Sequence, residues 1–378
     1  MKPAFELAEI LEKHWDKVQN LKFNTWQYRT LDAPKRCRTA SLGGHIDACN
    51  ACGHLTLSYN SCRNRHCNKC QGQKREDWII ARESELLPVP YFQRDVAPLV
   101  FTLPSELNPV AMYEPKILYD ILFKVSWEVM QAFSKDRKHL DAQSGMIAVL
   151  HTWGQNLSLH PHIHCIVPGG GIDKNGNWRC AKNKGKFLFP VKAMAKVFRA
   201  KFVAELRKQL ILDQRLYNGL FLKDWVVYAK RPFGNPKAVI EYLGRYTHKV
   251  AFSNHRIKSI DNETVIFTYK DYRDQSKVKL MTLTHEEFIR RFSQHILPKR
   301  FVRIRHYGIL SSTWKRSKLA NLQIKLGLMP IVKVVKVAKM QACPCCKKGK
   351  MVTILAFDSR GPPEGYVQLL NLVPSPTV

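Results

Sequence analysis

His160-Pro161-His162-Ile163-His164-Cys165-Ile166-Val167 is the stretch from which the organisation of this 378-residue chain can be worked out. From His162 to Val167 the run is β-like. In a strand, residues two apart share a face, so His162 and His164 project together while Ile163 turns to the core. Met146–Thr152 is a second β-like run, and Gly154–Ser158 is turn material between the two, which predicts a β-hairpin. His151 lies on the first run, placed to join the pair across the hairpin; His160, at the Pro-disrupted start of the second, is less well placed. Hydrogen-bonded core histidines are the plain explanation of such a run in a chain with 14 histidines. The sharper one is a divalent-metal site. Three imidazoles with open coordination positions suit Mg²⁺, Mn²⁺ or a transition metal acting as a Lewis acid on a phosphate.

Outward from this hairpin, strands and helices alternate. Asp95–Phe101 reads as a strand, and Pro115–Lys138 as a helix with Pro115 in its first turn and Ile117, Leu118, Ile121, Leu122, Val125 and Val129 at helical spacing. Val191–Leu212 is a long basic amphipathic helix and Trp225–Ala229 a short strand. Asn235-Pro236 opens a further helix, with Asn as N-cap and Pro at N1. Asp261-Asn262 separates two β-like runs, and Thr284 with Glu287 forms a capping box before Phe288–Ile296. The expected fold class is α+β, a mainly antiparallel sheet with helices on it. Three parts are expected: 1–90 with an opening helix and a cysteine cluster, 91–275 with the histidine hairpin, and a basic 276–378 ending in a Pro/Gly/Ser-rich tail.

The charge balance narrows the partner. There are 61 Lys and Arg against 30 Asp and Glu, a formal +31. That excess favours a polyanion, because each neutralised phosphate releases condensed counterions. It argues against an enzyme of small phosphoesters, which has no need of it. No stretch approaches the roughly 18 apolar residues of a membrane span, and Met1–Trp15 has no signal-peptide layout, so cytoplasmic residence without membrane attachment is expected.

Five of the eleven cysteines, Cys49, Cys52, Cys62, Cys67 and Cys70, lie within 22 residues. In a reducing compartment, paired CxxC spacing reads as metal binding rather than disulfides. Cys49, Cys52, Cys67 and Cys70 supply the four thiolates of a structural Zn²⁺ site. Cys62, His66 and His45 are surplus, and could build a second, mixed site. Arg63, Arg65, Lys69, Lys74 and Arg75 surround them, which makes a basic zinc module a DNA-binding unit. Cys343-Pro-Cys345-Cys346 is half of a knuckle: it completes a zinc site with distant residues or binds nothing. Arg300, Arg303, Arg305, Lys315, Arg316 and Lys318 form a further stretch of expected DNA contacts.

A third motif is Glu241-Tyr242-Leu243-Gly244-Arg245-Tyr246-Thr247-His248-Lys249. Tyr242 and Tyr246 are four apart and share a helix face, with Lys249 near the same stripe. Tyrosines at helical spacing are usually core edge. Here Glu241, Arg245, His248 and Lys249 make the face polar, and tyrosine is a nucleophile capable of a covalent intermediate.

Taken together, the HPHIHCIV run with the glycines after Pro168, the EYLGRYTHKV segment and the SCRNRHCNKCQ cluster resemble the HUH endonucleases, named for His-hydrophobic-His. Within them the chain is similar to the two-tyrosine rolling-circle transposases of bacterial insertion sequences, which carry an N-terminal zinc-binding domain. The resemblance covers most of residues 10–310. It implies a central antiparallel sheet flanked by helices. It also implies His162 and His164 as ligands of a catalytic Mg²⁺ or Mn²⁺, with His151 as third ligand by likeness to conjugative relaxases, and Tyr242 and Tyr246 as nucleophiles. Arg245 and Lys249 would assist on the DNA. One or two structural zinc ions, single-stranded DNA at transposon ends as substrate, and association with the nucleoid follow from the same likeness. No GxxxxGK[ST] sequence is present, so unwinding is expected from a host helicase. Other readings that share parts of these features are a plasmid replication initiator or relaxase, and a non-catalytic zinc-dependent DNA-binding regulator in which the histidines are structural.

Overall fold

The computed structural model describes residues 3–85, 87–89, 91–94, 97–181, 189–228, 250–272, 274–327, 341–366 and 368. Helices α1 (Leu7–Lys13), α2 (Trp15–Asn20) and α3 (Thr25–Arg36) are followed by strands β1 (Gly44–Cys49) and β2 (Leu55–Tyr59) and by α4 (Asn68–Glu83). Next come β3 (Tyr91–Arg94), β4 (Ala97–Thr102), α5 (Asn108–Tyr113), α6 (Pro115–Lys135), β5 (Gly145–Trp153) and β6 (Leu159–Pro168). β7 (Gly170–Ile172), β8 (Trp178–Cys180), α7 (Val191–Gln209), α8 (Gln214–Leu222) and β9 (Val227–Tyr228) follow. The last part holds β10 (Ile257–Ile260), β11 (Thr264–Asp271), β12 (Lys277–Thr284), α9 (His285–Ser293), β13 (Ile304–Gly308), α10 (Ser312–Lys325) and β14 (Met351–Phe357).

The fold is α+β and its strand pairs are antiparallel. In the main sheet β5 lies between β13 and β6, and β6 pairs on its other side with β4 and, at its end, with β3; β9 flanks β4. The two histidine-bearing strands are therefore central. Alternation along them separates two faces. Ala148, Leu150, Ile163, Cys165, Leu99 and Phe101 point into a core covered by α6 and α7, which contribute Leu118, Leu122, Val129, Phe198 and Phe202. The opposite face carries Ile147 and Ile166, packed under Leu319 and Leu322 of α10, and further along the strands the histidines.

A second core joins segments far apart in sequence. Leu7, Ile10 and Leu11 of α1, with Val18 and Leu31, pack against Phe252, Val265 and Phe267 and against Phe288, Ile289 and Phe292 on one face of α9. The N-cap expected before this last helix is made: the Thr284 hydroxyl accepts from the Glu287 N–H at 3.2 Å. Phe252 meets Phe267 and Phe288 edge to face, with centroids 5.1 and 5.0 Å apart. The boundary drawn near residue 275 falls in the turn between β11 and β12, inside this body.

The β5–β6 hairpin plugs into the second core at its tip. Leu157 is fully buried there, in a left-handed conformation with φ of 61°. Three successive carbonyls of the tip each accept a bond from this body: Gln155 from Arg256 Nη2, Asn156 from Arg291 Nη1 at 3.2 Å, and Leu157 from His295 Nε2 at 3.2 Å. A carbonyl can only accept, so the His295 proton sits on Nε2 and Nδ1 accepts from the Thr152 hydroxyl, 3.2 Å away.

Two outcomes follow. Leu157→Ala should lower stability by about 2–5 kcal/mol, the usual cost of emptying a buried leucine site, read by urea unfolding; a loss below about 0.5 kcal/mol would show that the tip is not anchored. His295 is buried neutral, its pKa pressed down to about 4 by desolvation. The unfolded chain therefore takes up this proton first, and the stability involved, whole above about pH 7, is lost as pH falls through 6.5 towards 4. The slope is up to about 1.4 kcal/mol per pH unit. His295→Gln should flatten the fall by one proton, and an unchanged pH dependence would refute the neutral burial.

Candidate active site: a histidine metal centre

His151 of β5 stands directly opposite His162 of β6, and His164 follows two residues on along the same face. Ring centroids lie 5.5 Å apart for His151 and His162, 4.3 Å for His151 and His164, and 4.8 Å for His162 and His164. The three rings offer nitrogen atoms all within 4.8 Å of one another. His151 and His164 are buried and His162 is half-buried. His151 stacks on Trp153 at 4.7 Å, which fixes its plane.

The His162 ring is set for coordination by its own strand. Its Nδ1 lies 2.6 Å from the His160 carbonyl, which can only accept, so Nδ1 carries the proton and the Nε2 lone pair is left for a cation. Burial, with His160 beside it, holds the His162 pKa down at about 4, so the ring is neutral near pH 7. The donor set of three imidazoles fits a divalent cation that accepts nitrogen ligands. His160 is exposed and belongs to none of the clusters. Tyr242, Tyr246, Arg245 and Lys249, and the helix expected to open at Asn235-Pro236, lie outside the described residues.

The cysteines form two groups, partitioned differently from the sequence expectation. Cys37, Cys62, Cys67 and Cys70 come together, and Cys49 and Cys52 meet Cys343 and Cys346 instead. The β1–β2 hairpin causes the split. Cys49 and Cys52 sit at its turn, whereas Cys37 and Cys62 flank its open end, where Asn60 bonds to Gly43 and to Arg38. Six residues of strand at about 3.3 Å each hold the two ends apart. In the first group Sγ atoms are 3.5 Å apart for Cys37 and Cys70 and 3.6 Å for Cys62 and Cys70. Tetrahedral Zn²⁺ with bonds of about 2.3 Å spaces its sulfurs roughly 3.8 Å apart. The Cys62 and Asn64 N–H groups point at sulfur, at 3.4 and 3.5 Å. A hydrogen bond from the Cys62 thiol holds the Cys37 pKa below the ordinary thiol value. Cys37 carries no spacing motif in the sequence.

His66 and His45 stay outside both groups. His66 is buried, its pKa held well below the ordinary value by desolvation, and His45 Nε2 lies 3.5 Å from Asp47 Oδ2.

Several cations expected on DNA are used within the protein. Arg65 donates to the carbonyls of Leu297, Pro298 and Phe301. Arg303 is buried, Arg305 pairs with Asp120 over the Phe123 ring, Lys315 pairs with Glu85, and Lys69 pairs with Glu6 at 2.6 Å. Arg63, Arg75 and Arg316 are exposed, and Lys74 lies in α4.

With this geometry in view, the likeness to known proteins is informative. A family model described as "Putative transposase" matches residues 145–318, spanning both histidine strands, and one described as "Transposase zinc-binding domain" matches residues 10–103. The chain is 40% identical to the "Putative transposase y4qJ" of Sinorhizobium fredii, over 95% of this chain and 97% of that one. The chain belongs to the IS91-type transposases. It is also 29% identical to the "Transposase for insertion sequence element IS801" of Pseudomonas savastanoi pv. phaseolicola, over 76% of this chain and 70% of that one. No solved structure matches it. Membership makes this a DNA-acting protein with a zinc-binding domain, and the Cys37 group lies wholly within the matched zinc-binding region. No helix among the described residues is long and apolar enough to cross a membrane.

The two kinds of cation should separate experimentally. Neutralising Arg75 and Arg316 together should leave the melting temperature unchanged and reduce the slope of log affinity against log salt, by about 0.7–0.9 for each phosphate that is no longer neutralised. Arg65→Ala should instead lower stability by about 1.5–3 kcal/mol. The reverse pattern in salt titrations and melts would overturn this division.

Proposed function

We propose that this transposase cuts and rejoins single-stranded DNA by tyrosine attack, in rolling-circle fashion, with His151, His162 and His164 holding the catalytic cation. The observation that carries the reading is the imidazole triad on adjacent central strands, in particular the backbone-fixed tautomer of His162. The sequence supplies the nucleophile: Tyr242 and Tyr246 are four positions apart, the spacing expected of one helical face.

In this reading a phenolic oxygen attacks the scissile phosphorus and the P–O3′ bond breaks. The strand 3′ of the cut stays on the enzyme as a 5′-phosphotyrosine, and the tyrosine proton ends on the departing 3′-oxygen. Mg²⁺ or Mn²⁺, when bound, would polarise the phosphate and offset the charge gathering on its oxygens. The chain's own groups bind and orient: His151 and His164 fix the position of the centre, and Arg245 and Lys249 provide positive charge beside the nucleophiles. Because the phosphotyrosine conserves the energy of the broken ester, a second tyrosine can take the second cleavage before rejoining. Absence of a Walker motif supports a host helicase as partner.

The decisive measurement uses 5′- and 3′-labelled single-stranded oligonucleotides spanning the element's ends, incubated with protein and Mn²⁺ and run on denaturing gels. The expected result is a metal-dependent adduct that keeps only the label 3′ of the cut. It should vanish in the Tyr242→Phe/Tyr246→Phe double variant and fall at least about 100-fold in His164→Ala. Tight DNA binding without any adduct would replace this reading with a non-catalytic regulator.

A further inference from the structure

The cysteine group outside the first zinc site draws on both ends of the chain. Cys49 ends β1, Cys52 follows in the turn, and Cys343 and Cys346 sit in the segment that leads into β14. Cys52 and Cys343 are 291 positions apart in sequence, yet their sulfurs are 3.7 Å apart, as are those of Cys49 and Cys346. A disulfide would need about 2.05 Å, and all four are free. A tetrahedral thiolate site needs roughly 3.8 Å.

The backbone around them is built alike on both sides. Ala51 and Cys52 each aim an N–H at Cys49 Sγ at 3.4 Å, and Gly349 aims one at Cys346 Sγ at 3.3 Å. Gly53 N bonds to the Cys49 carbonyl at 3.0 Å, and Lys347 N to that of Cys343 at 3.0 Å. Such donors favour thiolate over thiol. Gly349 packs so close that a β-carbon there would lie 2.3 Å from Cys49 Sγ.

We propose that a second zinc ion binds Cys49, Cys52, Cys343 and Cys346 and staples the C-terminal strand to the N-terminal zinc-binding domain. The unit is then discontinuous, extending beyond the matched region 10–103. Pairing around the site agrees: β14 runs antiparallel to β1 from Gly44 opposite Phe357 to Cys49 opposite Met351. Lys350 N donates to Asn50 Oδ1 at 2.9 Å, and Thr353 Oγ1 to Asp47 Oδ1 at 2.6 Å. Cys345, exposed and outside the group, is not a ligand. Four soft thiolates in tetrahedral spacing select zinc over hard cations.

The test is metal content and thiol protection in the full-length protein. Zinc by mass spectrometry should be two per chain, falling to one in Cys343→Ser/Cys346→Ser. In wild type, alkylation should label Cys345 at once and leave Cys49, Cys52, Cys343 and Cys346 protected; a chelator should expose all four together. One zinc per chain in wild type, or Cys343 and Cys346 alkylated as fast as Cys345 in the zinc-loaded protein, would overturn the proposal. The alkylation arm needs no variant, so misfolding of the serine protein leaves the answer intact.

Discussion

Three consecutive carbonyls at the tip of the β5–β6 hairpin, each taken by a cation or imidazole of a separate body, constrain much of what surrounds the histidine centre. Hairpin tips are ordinarily solvated, because buried backbone acceptors without partners are costly. Here Arg256, Arg291 and His295 supply those partners and Leu157 fills the adjoining core. The left-handed conformation at Leu157 is tolerated because its neighbours fix it from both sides. The body that grips the tip also buries α1 to α3, so the orientation of the histidine strands is tied to the N-terminal helices. His295 holds Thr152, the residue next to His151, and Trp153 carries the ring of His151. Thr152 and Trp153 thus tie the position of His151 to this body.

The cysteine groups solve a related problem for a segment with little core of its own. The β1–β2 hairpin is only half-buried along β2, and β14 is mostly exposed. Three strands of that kind are marginal without additional restraint. One group closes the base of the hairpin against α3 and α4, and the other closes its turn against the far end of the chain. Loop closure over nearly 300 residues is entropically costly, though the cost grows only logarithmically with length. A contact of this span forms where burial, directional bonds or metal ligation offset that cost.

The hairpin, the pairing of His151 with His162 and His164, the helix over α6, and the Thr284 cap were legible in sequence because each rests on a local rule: period-two alternation, apolar residues at helical spacing, or cap chemistry within three residues. The assignment of cysteines to metal groups was not. CxxC spacing reports a knuckle but carries no information about which knuckle faces it, and the partner of Cys49 and Cys52 lies at the other end of the chain. Cys37 has no nearby cysteine to betray it, and only the antiparallel return of β2 brings it to Cys62. The body sharing α1 and α9 was hidden for the same reason: its halves meet only through tertiary contacts, among them the apolar core and a bond from Leu7 N to Asn254 Oδ1.

Charge shows the same limit. With 61 basic residues against 30 acidic ones, many cations have no carboxylate available. The structure places several against carbonyl oxygens instead. Arg65 gathers three carbonyls from the 297–301 turn, and Arg256 takes those of Gln155 and Thr268. A guanidinium suits this task, since its planar fork meets several acceptors at once and is weakly hydrated. Burial lowers the pKa of Arg65 and brings Arg256 down to about 10, which leaves both charged near pH 7. Their charge therefore serves cohesion, and a basic residue next to a zinc knuckle cannot be assigned to the DNA by composition. Solvent exposure is the further requirement, and Arg63, Arg75 and Arg316 meet it where Arg65 and Arg303 do not.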